Sequence, residues 1–173
     1  TSLISSFFSD PFDVESQPTV APANRRCTIE FDHIIVQLQV WDIAGQERFQ
    51  SIWGMLYRNA DAALIVYSIS DAKSFDKVDF YLNLIKQFSG PQVIIFLVAN
   101  EVDTSQIVFT REQGESKAKS INAFYFETSI VSGFRVNELF KVVAQKCYEK
   151  RHHTDINQDQ LEYENQEPIS NQI

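Results

Sequence analysis

Two uninterrupted apolar runs, residues 62–67 and 93–99, constrain this chain more than any other feature. Both carry β-branched and aromatic residues without polar alternation. Strands of this kind are buried on two faces, as in a parallel sheet with helices above and below. Residues 25–31 and 34–41 alternate instead, with Asp32 and His33 between them, and predict an antiparallel hairpin. Helical spacing fills the remaining intervals. Phe75, Val78, Leu82 and Ile85 fall at i, i+3, i+7 and i+10, and Val136, Leu139, Phe140, Val143 and Cys147 form a second stripe. Asp71 or Ser74 is the candidate cap of the first helix, and Ser132-Gly133 punctuates the approach to the other. A shorter helix is predicted over 111–120 and a strand over 124–127. From residue 62 onward, strands alternate with helices, the pattern of an α/β domain on a mostly parallel sheet.

With 173 residues, 44% of them hydrophobic, the chain has enough apolar volume for one ordinary domain. Its net charge of -8 argues against non-specific attraction to nucleic acid or to an anionic membrane. Cys27 and Cys147 form no CxxC pair, which suits a reducing, cytoplasmic setting. No apolar run reaches the ~18 residues of a membrane-spanning helix. Residues 151–173 shift to Asn, Gln, Asp and Glu without an apolar stripe and predict a disordered tail. His152 and His153 at its root read as solvated, because adjacent side chains on a helix do not converge on one ion.

Chemistry concentrates where predicted strands end. In Trp41-Asp42-Ile43-Ala44-Gly45-Gln46, a hydrophobic strand delivers a carboxylate, turns at glycine and presents a glutamine. Ligands of open α/β sheets sit beyond such strand ends. A nucleoside triphosphate suits the set: the carboxylate helps hold hydrated Mg²⁺, the glycine lets a backbone N–H approach the terminal phosphate, and the glutamine orients water. Asn100-Glu101-Val102-Asp103 follows the next buried strand. The Asp103 carboxylate can accept two hydrogen bonds from guanine's N1–H and amino group, a donor pair that adenine lacks. Glu127-Thr128-Ser129 follows the last strand and would turn backbone N–H groups toward the guanine carbonyl. An Asn-x-x-Asp alone is a common turn former. The order and spacing of all three motifs make the case.

Over residues 1–150 the chain resembles the Ras superfamily of small GTPases, and within it the Rab proteins. Asp42-x-x-Gly45-Gln46 matches the family's phosphate and metal motif, Asn100-x-x-Asp103 its guanine motif, and Glu127-Thr128-Ser129 the start of its last base-binding loop. Arg48-Phe49-Gln50-Ser51-Ile52, Leu56-Tyr57-Arg58-Asn59-Ala60 and Ile65-Val66-Tyr67 are similar to segments that separate Rabs from Ras and Rho relatives, and Gln92-Val93-Ile94-Ile95 looks closest to the early-endosomal type. The resemblance implies a doubly wound, mostly parallel sheet with helices on both faces and one antiparallel hairpin. It places Thr1 and Ser2 at the end of the phosphate loop and makes Thr1, Thr19 and, through water, Asp42 the Mg²⁺ residues. Gln46 and Gly45 become catalytic: Gln46 positions the attacking water, as in the well-known Ras scheme. Asn100, Glu101, Asp103, Ser129, Ile130 and Val131 line the base, and Trp41, Asn24 and Leu56 face effectors. GTP and GDP, an exchange factor, a GTPase-activating protein and effectors are the implied partners, in vesicle traffic at the cytosolic face of endosomal or other endomembranes.

Several positions depart from the family pattern. The chain opens at Thr1, so the glycine-rich loop ending in Gly-Lys, and the central strand leading into it, are expected to be missing. Glu101 stands where relatives carry lysine, and Ile130 and Val131 where they carry alanine and lysine. Val20-Ala21-Pro22-Ala23-Asn24 lacks the usual glycine and phenylalanine, and Pro22 removes a backbone donor. Rabs commonly end in prenylated cysteines, whereas Cys147 lies inside the predicted last helix, so membrane association would need an anchor not visible in this sequence. Two readings follow. One is a slow GTPase that switches between GTP and GDP states, incompetent as these 173 residues alone; the other is a Rab-shaped interaction module that holds nucleotide weakly or not at all.

Overall fold

The computed structural model describes residues 1–10, 22–43 and 50–164, apart from the side chains of 50–53 and 153–164. A short helix α1 (Ser2–Phe7) opens the chain, burying Leu3 and stacking Phe7 on Phe140 at a centroid distance of 3.9 Å. Strands β1 (Ala23–Phe31) and β2 (Ile34–Asp42) then pair antiparallel, from Ala23 opposite Asp42 to Phe31 opposite Ile34. Asp32 (φ 46°) and His33 (φ 66°) make the turn. Two successive left-handed residues match the right-handed twist of the strands, which is why two-residue hairpins favour this geometry.

Helix α2 (Gln50–Tyr57) leads into β3 (Ala62–Ser68), and α3 (Ala72–Asp76) and α4 (Val78–Ser89) lead into β4 (Ile94–Asn100). The single stripe predicted from Phe75 to Ile85 is thus divided at Lys77. Its buried face survives in Val78, Leu82 and Ile85. Of the two candidate caps, Asp71 is the one used, accepting the Lys73 N–H at 2.9 Å. Ser74 instead accepts the Ser68 N–H at 3.0 Å and ties α3 to the end of β3. Helix α5 (Arg111–Ser120) begins with a capping box between Thr110 and Gln113, β5 (Phe124–Thr128) follows, and α6 (Val136–Glu164) closes the chain. β3, β4 and β5 are parallel, with β4 in the middle. Its alternate side chains feed two cores: Ile95, Leu97 and Ala99 meet α4 and α5, while Phe96 and Val98 meet α1 and α6. Both faces of the sheet are therefore covered, as the continuous apolar runs require.

The polar stretch from residue 151, predicted disordered, is instead helical as far as Glu164. A helix already nucleated by the packed face of Val136, Leu139, Phe140 and Val143 propagates at one hydrogen bond per residue and needs no apolar stripe to continue. Residues 165–173 lie outside the described residues.

The hairpin and the parallel sheet are separate: β2 and β3 share no ladder. Between them runs a cleft of about 1090 Å³, walled by Val36 and Val40 of β2, Ala62 and Leu64 of β3, and Phe140 and Cys147 of α6. Burial pushes the Cys147 thiol up to about 11, so it stays protonated and inert at neutral pH.

Gly114 shows how closely α5 lies on the sheet. A Cβ there would stand 2.4 Å from Tyr67 Oη and 2.6 Å from a Tyr125 ring carbon. Alanine would gain up to about 1 kcal/mol in helix propensity, but overpacking against a buried ring costs about 1–3 kcal/mol. Gly114→Ala is therefore expected to lower stability by about 1–2 kcal/mol, read as a lower urea midpoint with an unchanged slope.

Candidate functional site

The strand ends that carry the motifs share one side of the molecule. Arg151 of α6 holds Asp61, just before β3, through two contacts of 3.1 and 2.7 Å. Phe31, beside the start of β2, packs edge-on against Tyr148 of the same helix at 6.1 Å. β2 and β3 therefore start at one end and run together toward the other. β4 and β5 are parallel to β3, so Asp42, Asn100 and Thr128 all finish strands at that far side.

At the end of β2, Asp42 lies beside Thr1: the Thr1 backbone nitrogen is 3.1 Å from its carboxylate, whose side chain is 13% exposed. The structure thus brings together two of the three residues expected to serve Mg²⁺. Thr19, Gly45 and Gln46 lie outside the described residues. A threonine hydroxyl and a carboxylate are hard oxygen donors, and Mg²⁺ takes only one or two protein ligands, keeping waters and substrate phosphates for the rest. The donor set fits that ion. Among the described residues, no group of three or more His, Cys, Asp or Glu side chains forms a metal cluster. Ser2 begins α1 and is half-buried.

The base motifs are physically joined. Thr128 Oγ1 donates to Asn100 Oδ1 at 3.2 Å, with both residues buried, and the Val102 N–H reaches the Thr128 carbonyl at 3.4 Å. Asp103 is exposed, and the hydroxyl of Ser129, followed by that of Ser132, holds its carboxyl below the ordinary carboxylate range. An ionised acceptor therefore stands exposed beside the Ser129 loop. Ser129 is itself fully buried, its N–H on the Phe134 carbonyl at 3.1 Å and its Oγ accepting the Val131 and Ser132 N–H groups at 3.2 and 3.3 Å. This fixes the loop's curvature. The Ile130 side chain packs toward the α6 core, while Val131 is 71% exposed.

Glu101 joins neither motif. Its carboxylate turns to β3 and accepts the hydroxyls of Ser68 and Ser70. Sequence reasoning missed Ser68, Ser70 and Ser132, although Ser68 and Ser70 directly follow a buried strand, the signal that singled out the acidic motifs. On the hairpin, Trp41 and Asn24 are directly opposed and exposed, so these two expected effector-facing residues share a face. Leu56 is half-buried and lines the cleft.

A carboxylate beside Thr1 at one strand end, and an ionised acceptor beside a hydroxyl-braced loop at two others, can receive a phosphorylated ligand with a hydrogen-bonding base. The family comparison agrees: the Ras family model matches residues 1–149, and the chain belongs to the Ras family. It is accordingly a small GTPase domain of the nucleotide-binding switch type, a type that binds GTP and GDP, typically with Mg²⁺, and works through regulators and effectors.

Proposed function

We propose that this chain is a Rab-like switch that binds GTP, hydrolyses it slowly and acts with an exchange factor, a GTPase-activating protein and effectors in vesicle traffic at the cytosolic face of endomembranes. The Rab-type part rests on Arg48-Phe49-Gln50-Ser51-Ile52, Leu56-Tyr57-Arg58-Asn59-Ala60 and Ile65-Val66-Tyr67. The observation that carries the nucleotide part is the joined base site, in which Asn100 and Thr128 brace each other and Asp103 stays ionised against Ser129. That arrangement accepts two donors from one ring edge, which guanine has and adenine lacks.

The residues divide the work by charge and reach. Asp103 selects the base. Thr1 and Asp42 would hold Mg²⁺, which when bound neutralises phosphate charge. Gln46, through its amide, accepts from and donates to a water and so aligns it for in-line attack on the terminal phosphorus: the water oxygen bonds to phosphorus as the bond from phosphorus to the bridging oxygen breaks, GDP leaves, and the water's proton passes to a phosphate oxygen. Gln46→Leu keeps the volume and removes both hydrogen-bonding atoms. In the complete protein it is expected to cut single-turnover phosphate release by more than about tenfold, about 1.4 kcal/mol of barrier, with GTP affinity nearly unchanged. Equal release by parent and variant would rule out this role for Gln46.

One observation favours a second reading, an interaction module that holds nucleotide weakly. The residue in the lysine position of the guanine motif is Glu101, and its carboxylate is committed to two serines. Titration of the complete protein with a fluorescent GDP separates the two: saturable, Mg²⁺-dependent binding supports the switch, and its absence supports the module.

A further inference from the structure

The ends of β3 and β4 are bound together by side chains that base reading does not require. Glu101 leaves β4 with φ 66°, in the left-handed region that residues with a Cβ rarely occupy. From there its Oε2 accepts the Ser68 hydroxyl and, at 3.2 Å, the Ser70 hydroxyl. The two hydroxyls are 2.8 Å apart, and Ser68 Oγ also accepts the Ser70 N–H at 3.2 Å. The backbone repeats the connection. The Ile69 N–H donates to the Asn100 carbonyl at 3.2 Å, and the Ile69 carbonyl accepts the Val108 and Phe109 N–H groups at 2.8 and 3.1 Å. The loop 101–109 is thus fastened to the β3 end at both its start and its finish, and Asp103 rides on it.

Two carboxylates two residues apart would repel if they faced one ligand. They face opposite walls: Glu101 toward Ser68 and Ser70, Asp103 toward Ser129 and Ser132. A carboxylate can only accept, and two hydroxyl protons directed at the Oε2 of Glu101 fix its orientation. We propose that Glu101 is a positioning residue for guanine recognition: clamped by Ser68 and Ser70, it holds loop 101–109 so that Asp103 meets the base, and it makes no contact with the nucleotide itself. This rests on the guanine reading above, because Asp103 is taken as the base acceptor.

The test uses the full 173-residue chain and Glu101→Gln, Glu101→Ala, Ser68→Ala/Ser70→Ala and the combined triple variant. Two quantities are read: amide hydrogen exchange over residues 101–109, and release of a fluorescent GDP. Glu101→Gln keeps a carbonyl acceptor and is expected to match the parent in both. Glu101→Ala and the double serine variant are each expected to speed loop exchange and GDP release by about tenfold, and the triple variant by no more than either, because all three remove one unit. Faster GDP release in Glu101→Ala with an unaffected serine variant would overturn the proposal, since Glu101 would then act on the nucleotide directly. Failure of Gln to rescue would overturn it too. If even the parent binds no GDP, the guanine reading falls and Asp103's part in the proposal with it. Exchange then decides the clamp alone: faster exchange in Glu101→Ala upholds it, and unchanged exchange sinks it.

Discussion

Placed ahead of Thr1, a seven-residue apolar strand followed by a glycine-rich loop ending in Gly-Lys is expected to raise GDP affinity by about a thousandfold or more. The cleft between β2 and β3 has the length for such a strand: β3 itself has seven residues, Ala62–Ser68, and apolar side chains from both sheets and α6 wall the space. Thr1 lies against Asp42 at the far end of β2, so a loop entering there reaches the phosphate side of the site directly. A lysine and two or three backbone N–H groups on phosphate oxygens contribute charge-assisted bonds of about 1.5–3 kcal/mol each. Three of them give at least about 4 kcal/mol, which is about three decades of affinity at about 1.4 kcal/mol per decade. Calorimetric titration of both chains with GDP provides the check, and equal affinities would falsify this.

Asp103→Ala carries the second large effect. It removes an ionised acceptor of two charge-assisted hydrogen bonds, so GDP affinity should fall by roughly 10²- to 10⁴-fold. ADP affinity should hardly move, because adenine offers no matching donor pair. Competition between GDP and ADP on parent and variant measures the ratio, and an unchanged ratio would move base selection to other residues. The pH course follows from the same carboxylate. Ser129, and after it Ser132, lower its pKa from the ordinary value by favouring the ionised form. A depressed value means that the contribution is complete above the unfolded pKa, about 3.9, and is lost only as pH falls through the lower folded value. GDP binding should thus be flat from about pH 8 to about pH 5 with respect to this group.

Legibility tracked how local the determining forces are. The runs at 62–67 and 93–99 stand out because strands buried on both faces cannot afford polar residues, and the hairpin stands out because Asp32 and His33 interrupt two alternating segments. Helix α1 has six residues, and its stability comes from Leu3 and the stack of Phe7 on Phe140, distant in sequence. α2 likewise went without an expected helical stripe. The polar end of α6 had no apolar periodicity to read, because its helix is inherited from the packed turns before it. In the site, the acidic motifs were visible as residue types at strand ends. The hydroxyls that orient them were not, since serine is common in every loop and its meaning depends on which carboxylate folds toward it.

The attachment of α6 sets which way the molecule can point. Val136, just past the base loop, begins this helix of 29 residues, about 44 Å at 1.5 Å per residue, and Arg151 pins its middle to the strand starts through Asp61. The helix therefore exits at the pole opposite the site. A surface, bead or bilayer gripping the chain there would have the nucleotide mouth on its outer pole, open to solution, with α6 serving as the stand-off.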